Sequence, residues 1–227
     1  MKFDVLGLGN ALVDETFYVE KEFIEGTDLF FNQFKSISYE KQEAILAKLP
    51  SGETPDVMCG GSTTNSLVAT SNFGTTCGHI CQLSDDDRGK LYEQNLKDNG
   101  IYSLNNFYYQ DIRTGRCLVF ITPASERTMG TYLGASERLV FDESFVTHAN
   151  NSKIVFSEGY QFTSDENFEA FFRVLSEMNK EVKFALSLSD PGVVQGFRER
   201  LEKVIATRKI DYLFCTREEA IALVGEN

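Results

Sequence analysis

Three observations predict an α/β fold with a mostly parallel central sheet and a small attached β-sheet. Apolar strand patterns alternate with amphipathic helix patterns through the second half of the chain. Two stretches, 16–19 and 108–133, interrupt that rhythm with β-rich sequence. Between them a glycine turn, Cys59-Gly60-Gly61-Ser62, opens a helical run that stops at Phe73-Gly74. Strands separated by helices imply parallel pairing through right-handed crossovers.

The elements follow in order. Phe3, Val5, Leu6 and Leu8 start a strand at once, so no signal peptide is expected. Thr16-Phe17-Tyr18-Val19 comes next as β sequence with no helix between. In the glycine turn, Ser62 and Thr63 are expected to cap a helix whose Leu67, Val68 and Phe73 pack inward and whose C′ position suits Gly74. Asp85, Asp86 and Asp87 stand where a helix carrying Leu91, Tyr92 and Leu96 begins. They read as N-terminal carboxylates rather than a cation site. Tyr108 to Leu133 is strand-like, with turns near Thr114-Gly115 and Pro123. Lys153 to Ser157 reads as a buried strand. Thr163-x-x-Glu166 reads as a capping box, followed by Phe168, Phe171, Phe172 and Leu175 at helical spacing. Val182 to Leu188 is the next strand, Phe197, Leu201, Val204 and Ile205 mark a helix, and Asp211 to Cys215 is a strand. Thr216 to Val224 is a short helix ended by Gly225.

Composition narrows the function. The 227 residues are 42% hydrophobic with 19 Phe and 9 Tyr, enough for one large core. A net charge of −12 and the lack of a Lys/Arg cluster argue against nucleic-acid binding. No run of about 18 apolar residues suggests a membrane span. The five cysteines lie mostly in apolar runs and read as reduced thiols of a cytoplasmic protein. Cys77, His79 and Cys81 share one strand face; core packing is the better reading than a soft-metal site, because no fourth ligand sits at zinc-like spacing. Gly7-x-Gly9 lacks the third glycine and the following helix of a dinucleotide fingerprint.

Two features are suited to holding a polyhydroxy ligand. Gly60 and Gly61 let the backbone approach a ligand closely, ahead of helix N–H groups and Asn65. Asp14 lies where the chain leaves the first strand, at the edge where open α/β sheets bind ligands. Without further context the solvated turn carboxylate is the better reading of Asp14, while the glycine turn reads equally as an ordinary turn before a helix.

These segments, in this order, resemble the ribokinase-like (PfkB) sugar and nucleoside kinase family. Gly60-Gly61 with Asn65 is similar to its first signature. Gly7-Leu8-Gly9-Asn10 through Asp14 is similar to its first strand and substrate Asp, and Leu83-Ser84-Asp85-Asp86-Asp87-Arg88-Gly89 to its G/S-D-D-x-x-G turn. Glu126-Arg127-Thr128 through Leu133-Gly134-Ala135 is similar to the returning lid, and Asp211 through Thr216-Arg217-Glu218-Glu219 to its N-x-x-E segment. Ser157-Glu158-Gly159-Tyr160 and Ser189-Asp190-Pro191 lean toward the adenosine-kinase-like branch.

The resemblance implies a single ribokinase-like three-layer α/β domain over 1–227, with a β-sheet lid drawn from about 15–36 and 105–133. It implies ATP-dependent phosphoryl transfer to an alcohol of a sugar or nucleoside, adenosine-type preferred, with ATP and Mg²⁺ as cofactors. Asn10, Asp14, Gly60, Gly61, Ser62, Asn65 and Arg127 would bind substrate. Thr216 and Glu219 would stand near phosphate and Mg²⁺, although Thr216 replaces the family's Asn and Thr216-x-x-Glu219 is also a plain capping box. The family's anion hole and general base, D-T-x-G-A-G-D, occur nowhere in the 227 residues. On this resemblance the base is expected beyond Asn227, the fold is C-terminally truncated, and the apolar edge at the last strand is left uncovered. A non-catalytic sugar- or nucleoside-binding module is the alternative. The implied partner is a small-molecule substrate, with no nucleic acid or membrane, in a monomer or a homodimer through the lid.

Overall fold

The structure is a computed structural model that describes residues 1–106, 108–207 and 210–225. Its first half runs β1 (Phe3–Leu8), β2 (Leu12–Tyr18), α1 (Lys21–Glu25), β3 (Phe34–Ser36), α2 (Tyr39–Leu46), β4 (Asp56–Gly60), α3 (Ser62–Ser71), β5 (Cys77–Ile80), β6 (Leu83–Ser84), α4 (Asp87–Asp98) and β7 (Ile101–Ser103). The remainder is β8 (Tyr108–Tyr109), β9 (Gly115–Ile121), β10 (Arg127–Tyr132), α5 (Glu143–Asn150), β11 (Ser152–Glu158), α6 (Asp165–Glu177), β12 (Lys183–Ser187), α7 (Pro191–Gly196), α8 (Arg198–Thr207), β13 (Tyr212–Phe214) and α9 (Arg217–Val224).

A six-stranded sheet, ordered β13-β12-β11-β1-β5-β7, is parallel throughout. The repeated strand-then-helix pattern dictates this, because each crossover helix returns the chain in the same direction. One face packs on α5, α6 and α8. Helix α6 buries Asn167, Ala170, Phe171, Val174 and Leu175, spaced at helical period, against Phe184 and Leu186 of β12. On the other side Leu67 of α3 and Tyr92 and Leu96 of α4 pack with Cys77, Cys81 and Ile101.

A second sheet, ordered β3-β10-β9-β2-β4, is mixed: β2 runs parallel to β9 and antiparallel to β4. Its own core of Phe17, Leu118 and Phe120 lies under Ile24 of α1 and Ile45 of α2. Arg116 of β9, 3% exposed, fits beneath α2 because Gln42 accepts from its Nε at 2.7 Å and Glu43 pairs with its NH2 at 2.5 Å. A buried guanidinium is tolerated only with such partners. The two sheets meet where β1 ends and the chain passes through Gly9-Asn10-Ala11 into β2. Two carboxylates fasten the root of the second sheet to the body. Asp86, the N-cap of α4, accepts from Gly89 N–H (2.8 Å) and from the backbone and hydroxyl of Thr114 (2.9 and 2.7 Å), just before β9. Glu15 of β2 pairs with Arg88 of α4 at 2.5 Å.

Several elements differ from the sequence reading. The cap of α6 is Ser164, which accepts from Asn167 N–H at 3.0 Å. Thr163 instead donates its hydroxyl to the Tyr160 carbonyl at 2.8 Å, inside a 3-10 turn, Gly159–Phe162. Helices α1, α2, α5 and α7 are additional to the sequence reading; Asp190 caps α7 and Pro191 occupies its first turn, the combination that pre-sets a helix start. Strand β4, exposed over residues 56–58 and buried only toward Cys59 and Gly60, joins the second sheet, and β8 pairs with β6 in a separate two-stranded ribbon. Phe73 does not pack inward but is 88% exposed beyond the end of α3. Cys77, His79 and Cys81 are all buried.

Candidate substrate site

A cavity of about 450 Å³ lies between the sheets, at the C-terminal ends of β1 and β11. Asn10, Asp14, Gly61, Ser62 and Glu158 give it a polar rim. Phe34, Met129, Leu133, Tyr160 and Phe197 give it an apolar remainder. The Phe34 and Tyr160 rings stand 5.8 Å apart at 45°, one from each sheet region.

The glycine turn is shaped by its two glycines. Gly61 is the N-cap of α3 with φ of 101°, a conformation that an L side chain strains to adopt, and a Cβ there would strike the Asn10 carbonyl. A Cβ on Gly60 would lie 2.5 Å from the Asp14 carboxylate, so this glycine leaves that carboxylate its space. Ser62 and Thr63 were expected to cap α3. They are instead its first residues, and the capping oxygen comes from Glu158, which accepts the Thr63 N–H at 2.9 Å. A glycine cap supplies no side chain, so the free N–H is met from elsewhere.

Asp14 sits on β2 opposite Met58 of β4 and Cys117 of β9. Burial pushes its carboxyl up to about 6, while the positive charge of Arg127 acts in the opposite sense. The same burial, with the Asp14 charge, pushes the Cys59 thiol up to about 11 and the Cys117 thiol up to about 12. Such thiols are poor nucleophiles at neutral pH. A half-desolvated carboxylate at a cavity wall is an acceptor in want of donors, which vicinal hydroxyls of a sugar supply.

Asn10 is 3% exposed. Its Oδ1 accepts from Gln161 Nε2 at 2.9 Å and Asn167 Nδ2 at 3.0 Å, so its carbonyl oxygen is turned to the protein interior. Asn65 stands on the first turn of α3, exposed and outside the cavity lining. Arg127, the first residue of β10, is exposed and also outside the lining, although its charge reaches Asp14. Thr216 and Glu219 form a complete capping box on α9. The Thr216 N–H donates to Glu219 Oε2 at 3.0 Å, and the Glu219 N–H donates to Thr216 Oγ1 at 3.2 Å. Glu219 is 6% exposed and engaged in this cap. Among the described residues no His/Cys/Asp/Glu cluster is arranged to hold a metal.

The lining holds residues that the sequence reading had not assigned to a site, Glu158 and Tyr160 foremost. Glu158 had a readable signal, since it is a carboxylate two residues after the apolar run Ile154-Val155-Phe156, at the ligand-binding edge of a sheet. The apolar wall had none, because Phe34, Met129 and Phe197 come from three distant segments.

The parallel sheet, the second mixed sheet and the cavity at their junction define an α/β fold with a separate small sheet. The pfkB family carbohydrate kinase model matches residues 37–227, and the chain belongs to that family. Adenosine kinase 1 of Arabidopsis thaliana is 24% identical over 223 residues, covering 95% of this chain and 63% of that protein. The chain thus spans somewhat less than two thirds of the length of that relative. Among solved structures, adenosine kinase from Sinorhizobium meliloti superposes with a TM-score of 0.88 at 24% identity, over 100% of this chain and 68% of that one. Anopheles gambiae adenosine kinase in complex with P1,P4-di(adenosine-5) tetraphosphate gives a TM-score of 0.85 at 24% identity, over 98% and 67%. These likenesses carry the fold.

Proposed function

We propose that this chain forms the substrate-binding part of an ATP-dependent kinase that phosphorylates a hydroxyl of a ribose-containing substrate, an adenosine-type nucleoside before a free sugar. One observation carries the reading. A single cavity joins an acidic, hydrogen-bonding rim at Asp14 and the glycine turn to an aromatic-walled remainder at Phe34, Tyr160 and Phe197. A ribose suits the first and a flat heterocycle the second. The adenosine-bearing ligand of the Anopheles relative supports the same class.

In this reading Asp14 accepts ribose hydroxyls, Gly60, Gly61 and Ser62 admit the sugar at close range, and Asn65 and Arg127 approach from the cavity margin. Asn10 shapes the rim through its backbone. ATP is the phosphoryl donor, and Mg²⁺ binding is not assigned to the described residues. Transfer also needs an anion hole and a base that align the attacking hydroxyl. The G-A-G-D motif that supplies them in the family does not occur in the 227 residues. The alternative reading is a nucleoside-binding module without turnover of its own. The five free cysteines suit a reducing compartment such as the cytoplasm, and no described helix is long and apolar enough to cross a membrane. The open edge of β4, with Val57 and Met58 exposed, suits a homodimer formed through the second sheet.

Calorimetry with adenosine and ribose, beside a coupled ADP-release assay, tests both readings on the 227-residue chain. Adenosine is expected to bind more tightly than ribose, without turnover near the roughly 1–100 s⁻¹ of kinases. Failure to bind either ligand rejects the substrate assignment; robust turnover rejects the assignment of the base to the G-A-G-D segment.

A further inference from the structure

Glu158 ends β11 with no exposed surface, yet it faces the cavity. Its carboxylate gathers donors from two segments remote in sequence. Oε1 accepts the Asn10 N–H at 2.8 Å, from a residue 148 positions away. Oε2 accepts the Thr63 N–H and the Thr63 hydroxyl, each at 2.9 Å, and the Ser62 hydroxyl. None of the ion pairs among the described residues includes Glu158. A buried carboxylate without a cation is held by its hydrogen-bond donors, and here those donors are the rim of the cavity itself. The neighbouring contacts stiffen the same unit. Ser157 donates its hydroxyl to the Leu8 carbonyl at 2.8 Å, and Gln161 and Asn167 fix the Asn10 side chain.

We propose that Glu158 is a positioning residue, which locks the Asn10 segment to the glycine turn and so holds the ribose-facing rim in one geometry. The proposal rests on the nucleoside reading above. Its physical basis is preorganisation: two loops that would each have to be ordered by the ligand are ordered beforehand by one carboxylate. Glu158 acts on the sugar through Gly61, Ser62 and Asn10, and not by taking a ribose hydroxyl itself.

The test is Glu158→Gln in the 227-residue chain. The carboxamide keeps the shape but turns an NH2 toward N–H and O–H donors, so part of the lock is lost. Calorimetry compares adenosine, 2′-deoxyadenosine, 3′-deoxyadenosine and adenine with both proteins, and NMR follows amide hydrogen exchange. Adenosine affinity is expected to fall at least about tenfold, the scale of a lost charge-assisted hydrogen bond. The two deoxynucleosides should lose the same factor, adenine should change by less than about twofold, and exchange at Asn10 and Thr63 should accelerate relative to β12. Should Glu158→Gln not fold, Thr63→Val removes one donor isosterically and is expected to show the same pattern at about threefold.

Unchanged adenosine affinity or unchanged exchange overturns the proposal. So does an equal loss for adenine and adenosine, which marks general support of the fold. A penalty that vanishes with one deoxynucleoside also overturns it, because Glu158 then contacts that hydroxyl directly. If the unmodified chain binds none of the four ligands, the nucleoside reading itself falls, while the exchange rates still decide whether Glu158 locks the two segments.

Discussion

At the scale of single residues, Asp14 has the most direct consequence for pH. Its carboxyl is raised from 3.8 to about 6 by burial. The uncharged form is therefore favoured in the folded state. The stability this provides is full below about pH 4 and is lost as pH rises through about 6. Above that range the ionised group costs up to about 3 kcal/mol, from the 1.36 kcal/mol that each pKa unit represents. Asp14→Asn is expected to stabilise the unliganded protein at pH 7.5 and to leave it nearly unchanged at pH 4, measured by urea unfolding at both. The same substitution should weaken adenosine binding by about 1.5–3 kcal/mol at pH 7.5, the value of a charged hydrogen bond, read by calorimetry. Gly61→Ala tests the turn in a different way. The positive φ and the clash with the Asn10 carbonyl predict a loss of at least about 1–3 kcal/mol, seen as a lower melting temperature. Asp14 and the glycine pair could be read from the sequence because their chemistry is local: a carboxylate at a strand exit, and a backbone that must turn without a Cβ. Asn65 looked equally local, yet it lies outside the cavity lining. It stands almost one turn beyond Ser62 along the helix axis, about 4.5 Å at 1.5 Å per residue, and where the cavity ends along that axis is a matter of helix packing.

At the scale of elements, periodicity revealed β11, α6, β12, α8, β13 and α9 but not the short helices α1, α2, α5 and α7, and the sheet to which a strand belongs depended on its neighbours. Strand β4 shows why. Three of its five residues are exposed, so its sequence carries little apolar alternation, and it is fixed by antiparallel pairing to β2 from Leu12↔Gly60 to Thr16↔Asp56. The caps read from the sequence, those of α3, α4, α6 and α9, fall within one residue of the observed ones. Thr163 and Ser164 are chemically near-equivalent as caps, and the preceding 3-10 turn, which engages Thr163, decides between them. Ser164→Ala is accordingly expected to cost about 1 kcal/mol and Thr163→Ala less than half of that, by thermal or urea unfolding. A larger cost at Thr163 would place the cap where the sequence alone puts it.

At the scale of the molecule, the face of the six-stranded sheet that carries α3 is left open beside that helix, over β11, β12 and β13. Val5, Ile154, Phe156, Ala185, Tyr212 and Phe214 line a cleft of about 500 Å³, and the three residues of the edge strand β13 are each more than 40% exposed. An apolar edge of this kind is a template for further pairing. Phe214→Lys is expected to reduce light scattering of concentrated solutions while changing the unfolding midpoint little, because the side chain it replaces is 57% exposed. The hydrogen bonds of Glu158 carry a further consequence, for the order of events during synthesis. They join residues 10, 62, 63 and 158, and the cavity wall extends to Phe197, so the binding site does not exist until most of the chain has emerged. Pairings of such long range close late and slowly. A small molecule that fits the finished cavity then binds only chains folded at least through Phe197 and withdraws them from the unfolding equilibrium, by about 2.7 kcal/mol at a concentration one hundred times Kd. In a growing cell, the supply of that ligand would help set how much of the polypeptide survives proteolysis.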